Sequence, residues 1–297
     1  MEYTKPPLTY EQQADQLISR GLLADRAQLI QRLKSVNYYR LSGYWFPFRE
    51  YPKDNFKPDT RFEAIWRRYA FDRRLRLMVM DGIERIEIAL RADATYHLAH
   101  KHGAFGYLEA HALPNLSVDN HARLMTALRS EYSKSKEVFA SHFGNKYGED
   151  HDSLPIWMVT ELMTIGQLFT LFRGMSKGML KSIAKTYGVA GPVLFSWLGT
   201  LHAVRNICAH HSRLWNRELG YKPTFPDSAE WTEPVAVTDR RVFGVLTILK
   251  YMMDRVAPQS SWPQRLMDLL NEYPEIPRRD MGFADNWTDV PMWSDQK

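Results

Sequence analysis

PVLFSWLGTLHAVRNICAHHSRLWNR, residues 192–217, is the most apolar helix candidate in the chain, yet it carries Arg205, Asn206 and His210 close together. Gly191 and Pro192 punctuate its start, and Gly220 and Pro223 lie beyond its end, so the pattern predicts one helix from Pro192 to about Arg217. At about 100° per residue with His202 at zero, Asn206 falls near 40°, His210 near 80°, Arg213 near 20°, Arg217 near 60° and Arg205 near −60°. Leu194, Trp197, Leu201, Val204, Cys208 and Trp215 take the opposite side. Polar groups cost a few kcal/mol to bury unless partners are supplied, and phosphate chemistry is the best reason to assemble a cation, an amide and an imidazole here. An amphipathic helix whose solvated face is merely basic gives the same bare pattern. Three features favour chemistry: Asn206 directly after the Arg, His211 directly after the His, and the continuation into Arg213 and Arg217.

Outward from this segment the periodicity is helical and strand signals are scarce. Thr9 with Gln12 reads as a capping box, Gly21 closes that first helix, and Asp25 with Gln28 opens a second to about Val36. NYYRLSGYWFPFREYP (37–52) is aromatic and Pro-punctuated, and reads as an irregular connector. Thr60 and Glu63 read as another capping box, followed by a helical pattern from Arg61 to about His100. That would be a rod of about 60 Å at 1.5 Å per residue, for which Gly82 is the expected break. A helix is expected from Ser117 or Asp119 to about Phe143, another over 155–173 beginning at Pro155, and a large one over 239–256. The expected fold is therefore all-α, a helical bundle at 58–258 with an insertion at about 101–152. An accessory helical segment at 1–57 precedes it, and a C-terminal helix with an irregular tail at 259–297 follows.

Composition limits the function classes. The 297 residues are 44% hydrophobic and 13% aromatic, which is globular rather than disordered. A net charge of +5 permits a polyanionic partner without demanding one. The single cysteine, Cys208, excludes an internal disulfide and suggests a reducing compartment. The N-terminus lacks the charged and apolar regions of a secretory signal, and no apolar run reaches the ~20 residues of a membrane span. A cytoplasmic location without a membrane partner is expected.

RNICAH (205–210) matches the Arg-x4-6-His motif of the HEPN superfamily of helical ribonucleases. The wider chain resembles the Abi-like (abortive infection, AbiD/AbiF-type) family of bacterial anti-phage proteins. The segments that carry the resemblance are KPPLTYEQQADQLISRGL (5–22), NYYRLSGYWFPF (37–48), FDRRLRLMVMDGIERIEIALRA (71–92), LPIWMVTELMTIGQL (154–168) and VRNICAHHSRLWNR (204–217), in the family's order. The resemblance implies an all-helical HEPN-type bundle, a homodimer, and metal-independent RNA cleavage at a site shared by two subunits. It also relates the motif helices to those of RNA-guided type VI CRISPR nucleases, and some relatives are accompanied by a structured non-coding RNA.

RNA carries its own nucleophile, the 2′-OH. Cleavage needs a base, an acid for the departing 5′-oxygen, and cationic donors for charge developing on the phosphoryl oxygens. His210 is the expected base or acid, Arg205 the phosphate fork, and Asn206 an orienting group. One His per chain is short of two proton-transfer groups, and a two-fold dimer supplies the second. His202, His211, Arg213 and Arg217 are candidate RNA contacts or supports, although His211, which projects toward the apolar side, reads first as a packed or helix-bridging histidine. Glu161, in an apolar stretch, is expected to anchor a motif-helix cation by a salt bridge rather than to act as an acid. Tyr39 and Arg40, with Tyr38, Tyr44 and Trp45, suit base stacking, or equally a core. The arginines of 61–91 make either an ion-paired face or an RNA track. His97, His100 and His102 lack a neighbouring Cys or carboxylate and read as polar helix-end residues, so no metal site and no cofactor is expected.

The readings are ordered accordingly. The first is an endoribonuclease of an abortive-infection or toxin system. The second is a non-catalytic RNA-binding protein that holds a structured RNA. The third is a structural helical partner. An antitoxin, a structured non-coding RNA or a phage component are the candidate regulators.

Overall fold

The computed structural model describes Glu2, Thr4 and residues 6–294. Lys5, the first residue of the segment 5–22, and the end of the C-terminal tail, 295–297, lie outside the described residues. Among the described residues there are fourteen α-helices and no strand; the extended pairings are two isolated bridges, Leu23 with Arg61 and Arg49 with Phe56. The fold is all-α, as the periodicity predicts. The chain divides into two compact units, Met1–Arg76 with Asp268–Ile276, and Leu77–Met267 with Pro277–Lys297.

The first unit contains α1 (Tyr10–Ser19), α2 (Arg26–Ser35), α3 (Tyr38–Trp45) and the start of α4 (Phe62–His102). The Thr9–Gln12 capping box forms in both directions, and Asp25 accepts from the Gln28 amide at 2.7 Å. The expected connector at 37–52 is instead partly helical. Asn37 caps α3 through the Tyr39 amide at 2.7 Å, and Leu41, Tyr44 and Trp45 bury one helical face before Pro47 diverts the chain into a 3₁₀ turn. Three apolar positions at helical spacing outweigh the aromatic crowding that suggested irregularity. Thr60 does not cap α4: its hydroxyl donates to the Lys57 carbonyl at 2.7 Å, and its own carbonyl accepts from the Leu23 amide at 2.9 Å.

Within this unit Asp72 is completely buried, accepts from the Tyr44 hydroxyl at 2.6 Å, and pairs with buried Arg76. Arg67 pairs with Glu275 and Arg74 with Glu272, while Arg32 and Arg68 lie 4.2 Å over the rings of Trp66 and Phe48. In the second unit Arg85 pairs with Asp81 and Arg91 with Glu87. Much of the arginine load of α4 is thus engaged within the protein, which favours the ion-paired face over the RNA track.

The second unit holds the rest of α4, then α5 (Val118–Lys134), α6 (Val138–Tyr147), α7 (Ile156–Leu162), α8 (Ile165–Gly174), α9 (Lys177–Thr186) and α10 (Gly191–Ala209). It continues with α11 (Ala229–Thr232), α12 (Val242–Val256), α13 (Trp262–Glu272), which begins here and ends in the first unit, and α14 (Pro291–Ser294). α4 runs unbroken through Gly82, contrary to the expected break. A Cβ at Gly82 would stand 3.1 Å from the Trp262 indole nitrogen, which donates to the Met78 carbonyl at 2.7 Å. Gly82 therefore serves a close approach rather than a bend.

The single helix expected over 155–173 is two. Thr164 and Gln167 form a capping box that starts α8, and the Arg91 guanidinium donates to the Met163 carbonyl at 2.7 Å where α7 ends. The helix expected from 117 to 143 likewise divides into α5 and α6 at Ser135. α12 is buried from Val242 to Met253 and forms the apolar centre of the unit. Among the described residues no helix is long and apolar enough to cross a membrane.

Candidate active site

α10 delivers Arg205, Asn206 and His210, and it ends sooner than its sequence predicts. The helix stops at Ala209, with His210 as its C-cap and His211 in the left-handed region at φ 55°. Ser212 N–H donates to the Ile207 carbonyl at 2.9 Å and His211 N–H to the Cys208 carbonyl at 3.0 Å, the paired bonds of a Schellman stop. Beyond it Leu214, Trp215 and Leu219 are buried, Asn216 offers its carbonyl to Arg241 at 2.7 Å, and the Leu219 amide donates to the Arg240 carbonyl at 2.8 Å. These tertiary contacts win over helix continuation. The helical angles assigned to Arg213 and Arg217 consequently do not apply. Arg217 is exposed and Arg213 partly buried, both on an irregular segment past the helix end.

His202, Asn206 and His210 still form one line at spacing i, i+4, i+8, because the His210 N–H continues the helical pattern by donating to the Asn206 carbonyl at 3.0 Å. The Asn206 amide donates to the His202 Nε2 at 3.1 Å, which makes Nδ1 the protonated nitrogen of the neutral ring. Burial, and after it the neighbouring Arg205 guanidinium, hold the His202 pKa below the ordinary histidine value. The neutral form is the one that accepts this hydrogen bond. The His202 ring lies 5.7 Å from that of Phe169, which stacks on Phe195 at 5.0 Å. Gly166, two residues into α8, makes room: a Cβ there would be 3.3 Å from His202 Nε2.

The arrangement leads from an aromatic support, through His202 and Asn206, to an exposed imidazole at His210. Arg205 is half-buried, and among the described residues no carboxylate pairs with it. Cys208 is buried on the opposite side, where a core role suits it. A guanidinium, an amide held by a neighbour and a solvent-facing imidazole are groups suited to binding a phosphodiester and moving its protons.

Several residues lie apart from this constellation. Glu161 is exposed on the short helix α7, so the buried-carboxylate reading fails, and no salt bridge joins it to a motif-helix cation among the described residues. Its flanks are apolar, but a seven-residue helix presents one of its faces to solvent. His211 is exposed, which removes the packed reading. Tyr39 is 85% exposed and Arg40 is exposed on α3 of the first unit, while Tyr44 and Trp45 are core residues. Among the described residues no group of three or more His, Cys, Asp or Glu is placed to hold a metal ion. Phe169, Phe195 and Gly166 escape a reading of the motif alone; the T-x-x-Q cap at 164–167 was the available signal that a helix start lies near them.

No curated protein and no solved structure matches this chain. The model of one family, described as Abi-like protein, matches residues 31–216, a span that holds α3, α10 and the whole Arg205–His210 constellation. The chain belongs to the Abi-like protein family.

Proposed function

We propose that this protein is a HEPN-type endoribonuclease that cleaves RNA without a metal, at a pocket built from two copies of the α10 terminus. One observation carries the reading. Arg205, Asn206 and His210 are gathered at a solvent-accessible helix end, with the amide held by His202 at 3.1 Å and the imidazole exposed.

The chemistry follows from the groups present. The substrate 2′-oxygen attacks phosphorus and loses its proton to one His210. The bond from phosphorus to the 5′-oxygen breaks, and the second His210 returns a proton to that oxygen. A 2′,3′-cyclic phosphate and a free 5′-hydroxyl result. Arg205 places charged donors on the non-bridging oxygens as they gain charge, and Asn206 orients phosphate or imidazole. Around the axis of α10, Arg205 and His210 are about 140° apart. One helix end presents them in different directions, whereas a two-fold pair lets each copy complete the other's pocket. Family membership supports a role in abortive infection, in which RNA cleavage arrests the host.

The test is cleavage of a labelled RNA by wild type, Arg205→Ala and His210→Ala proteins, with the termini of the products identified. Loss of cleavage in both variants and cyclic phosphate ends in wild type are expected. Undiminished cleavage in both variants refutes the reading. RNA recovered intact with the protein, with no cleavage by wild type, would favour the binding-only alternative.

A further inference from the structure

A second cationic site lies where the C-terminal end of α4 meets α9. A cleft of about 420 Å³ opens there, lined by His97, His100, Lys101, Gly178, Met179 and Ser182. The His100 Nδ1 donates to the Tyr96 carbonyl at 2.8 Å, and among the described residues no hydrogen bond engages Nε2. The Tyr96 ring is 59% exposed and lies 4.0 Å from the His100 ring. From α9, Gly178, Met179 and Ser182 line the cleft, and Lys185 stands beside that face, about 20° from Gly178 and about 60° from Ser182 on the helical wheel. Lys101 and Lys185 are exposed, and α9 contains no acidic residue. The nearby carboxylate, Asp93, is occupied by the Tyr187 hydroxyl at 2.6 Å. Last-turn cations on α4 suit the negative end of that helix, but this does not account for Lys185, which comes from a different element. A cleft with cations from two helices, no acidic residue in its lining and an exposed aromatic ring beside it matches the backbone and bases of a single-stranded nucleic acid.

We propose that the α4–α9 cleft, lined by Lys101 and His100 and flanked by Lys185 and Tyr96, is a second RNA-backbone site that holds the strand away from the α10 terminus. This rests on the proposed ribonuclease reading. α9 packs against the start of α10, where a Cβ on Gly191 would be 3.4 Å from Leu180. Arg205 is 14 residues further along α10, on the order of 20 Å at 1.5 Å per residue. The two sites therefore grip different stretches of one RNA. The cleft sets affinity and strand placement, and the α10 end does the chemistry.

The experiment measures binding of a fluorescent single-stranded 20-nucleotide RNA by the full-length protein across a salt series, in a His210→Ala background that stops cleavage. Lys101→Ala with Lys185→Ala removes two phosphate contacts and is expected to lower affinity about tenfold and flatten the log–log salt slope by about 1.4. Tyr96→Ala is expected to weaken binding at least about fivefold through lost stacking. Gly178→Glu places a carboxylate in the cleft where nothing lies within 4 Å of a Cβ, and is expected to abolish most binding with the melting temperature kept. RNA bound with affinity and slope unchanged in all three variants overturns this proposal and leaves the ribonuclease reading standing. A background protein that binds no RNA overturns both.

Discussion

Replacing Asp72 with Ala tests whether the first unit depends on a buried ion pair. Asp72 is wholly buried, with its carboxylate between the Tyr44 hydroxyl at 2.6 Å and the Arg76 guanidinium. Arg76 is 6% exposed. Truncating the acid breaks this buried ion pair from one side, a change that costs about 3–5 kcal/mol. That is a large share of a typical total of about 5–15 kcal/mol. In urea denaturation followed by tryptophan fluorescence, with a slope of about 1–3 kcal/mol per molar, the midpoint should fall by at least about 1 M. Tyr44→Phe removes only one donor to the charged group and should cost less, about 1.5–3 kcal/mol. The pair Asp72→Leu with Arg76→Met, which removes both charges, should recover most of the loss. A loss below about 1 kcal/mol for Asp72→Ala refutes the reasoning.

Three further outcomes follow from the motif region. His211 holds φ 55°, a conformation that costs a non-glycine residue on the order of 1 kcal/mol, so His211→Gly should raise thermal stability modestly while RNA cleavage persists; a lower melting temperature contradicts the Schellman assignment. His202 has a lowered pKa, so the unfolded chain binds its proton first as pH falls. Its neutral form costs nothing above pH 6.5, and stability drains away as pH drops below that value, so His202→Gln should flatten the acid side of a stability profile measured between pH 7.5 and 5. Glu161→Gln should leave cleavage and stability unchanged, because the carboxylate is exposed and joined to no motif cation among the described residues; a large fall in cleavage rate would restore it to the site.

The sequence carried the helical class and most helix starts because caps are local. Thr9 with Gln12 and Thr164 with Gln167 fix their helices within four residues. The T-x-x-Q at 164–167 is a local cap signal set inside an apolar run that by periodicity alone reads as one helix. The end of α10 was not readable, because neither Gly nor Pro interrupts 200–219 and a histidine takes the left-handed position. What ends that helix is the burial of Leu214, Trp215 and Leu219, a tertiary cause without a local signature. Gly82 shows the converse: a residue that often marks a break is needed for the indole of Trp262, far away in sequence. At the site, the i, i+4 line of His202, Asn206 and His210 was legible from spacing. The aromatic support from Phe169 was not, because it comes from another helix.

The central claim is a pocket made by two chains, and subunit mixing tests it most directly. Wild type and His210→Ala protein are co-refolded in varied ratios at constant total concentration, and RNA cleavage is measured. If each pocket needs a His210 from both copies, activity follows the square of the wild-type fraction and falls to about one quarter at equal proportions. A linear decline to about one half would mean that each chain carries a complete site, and would contradict the account.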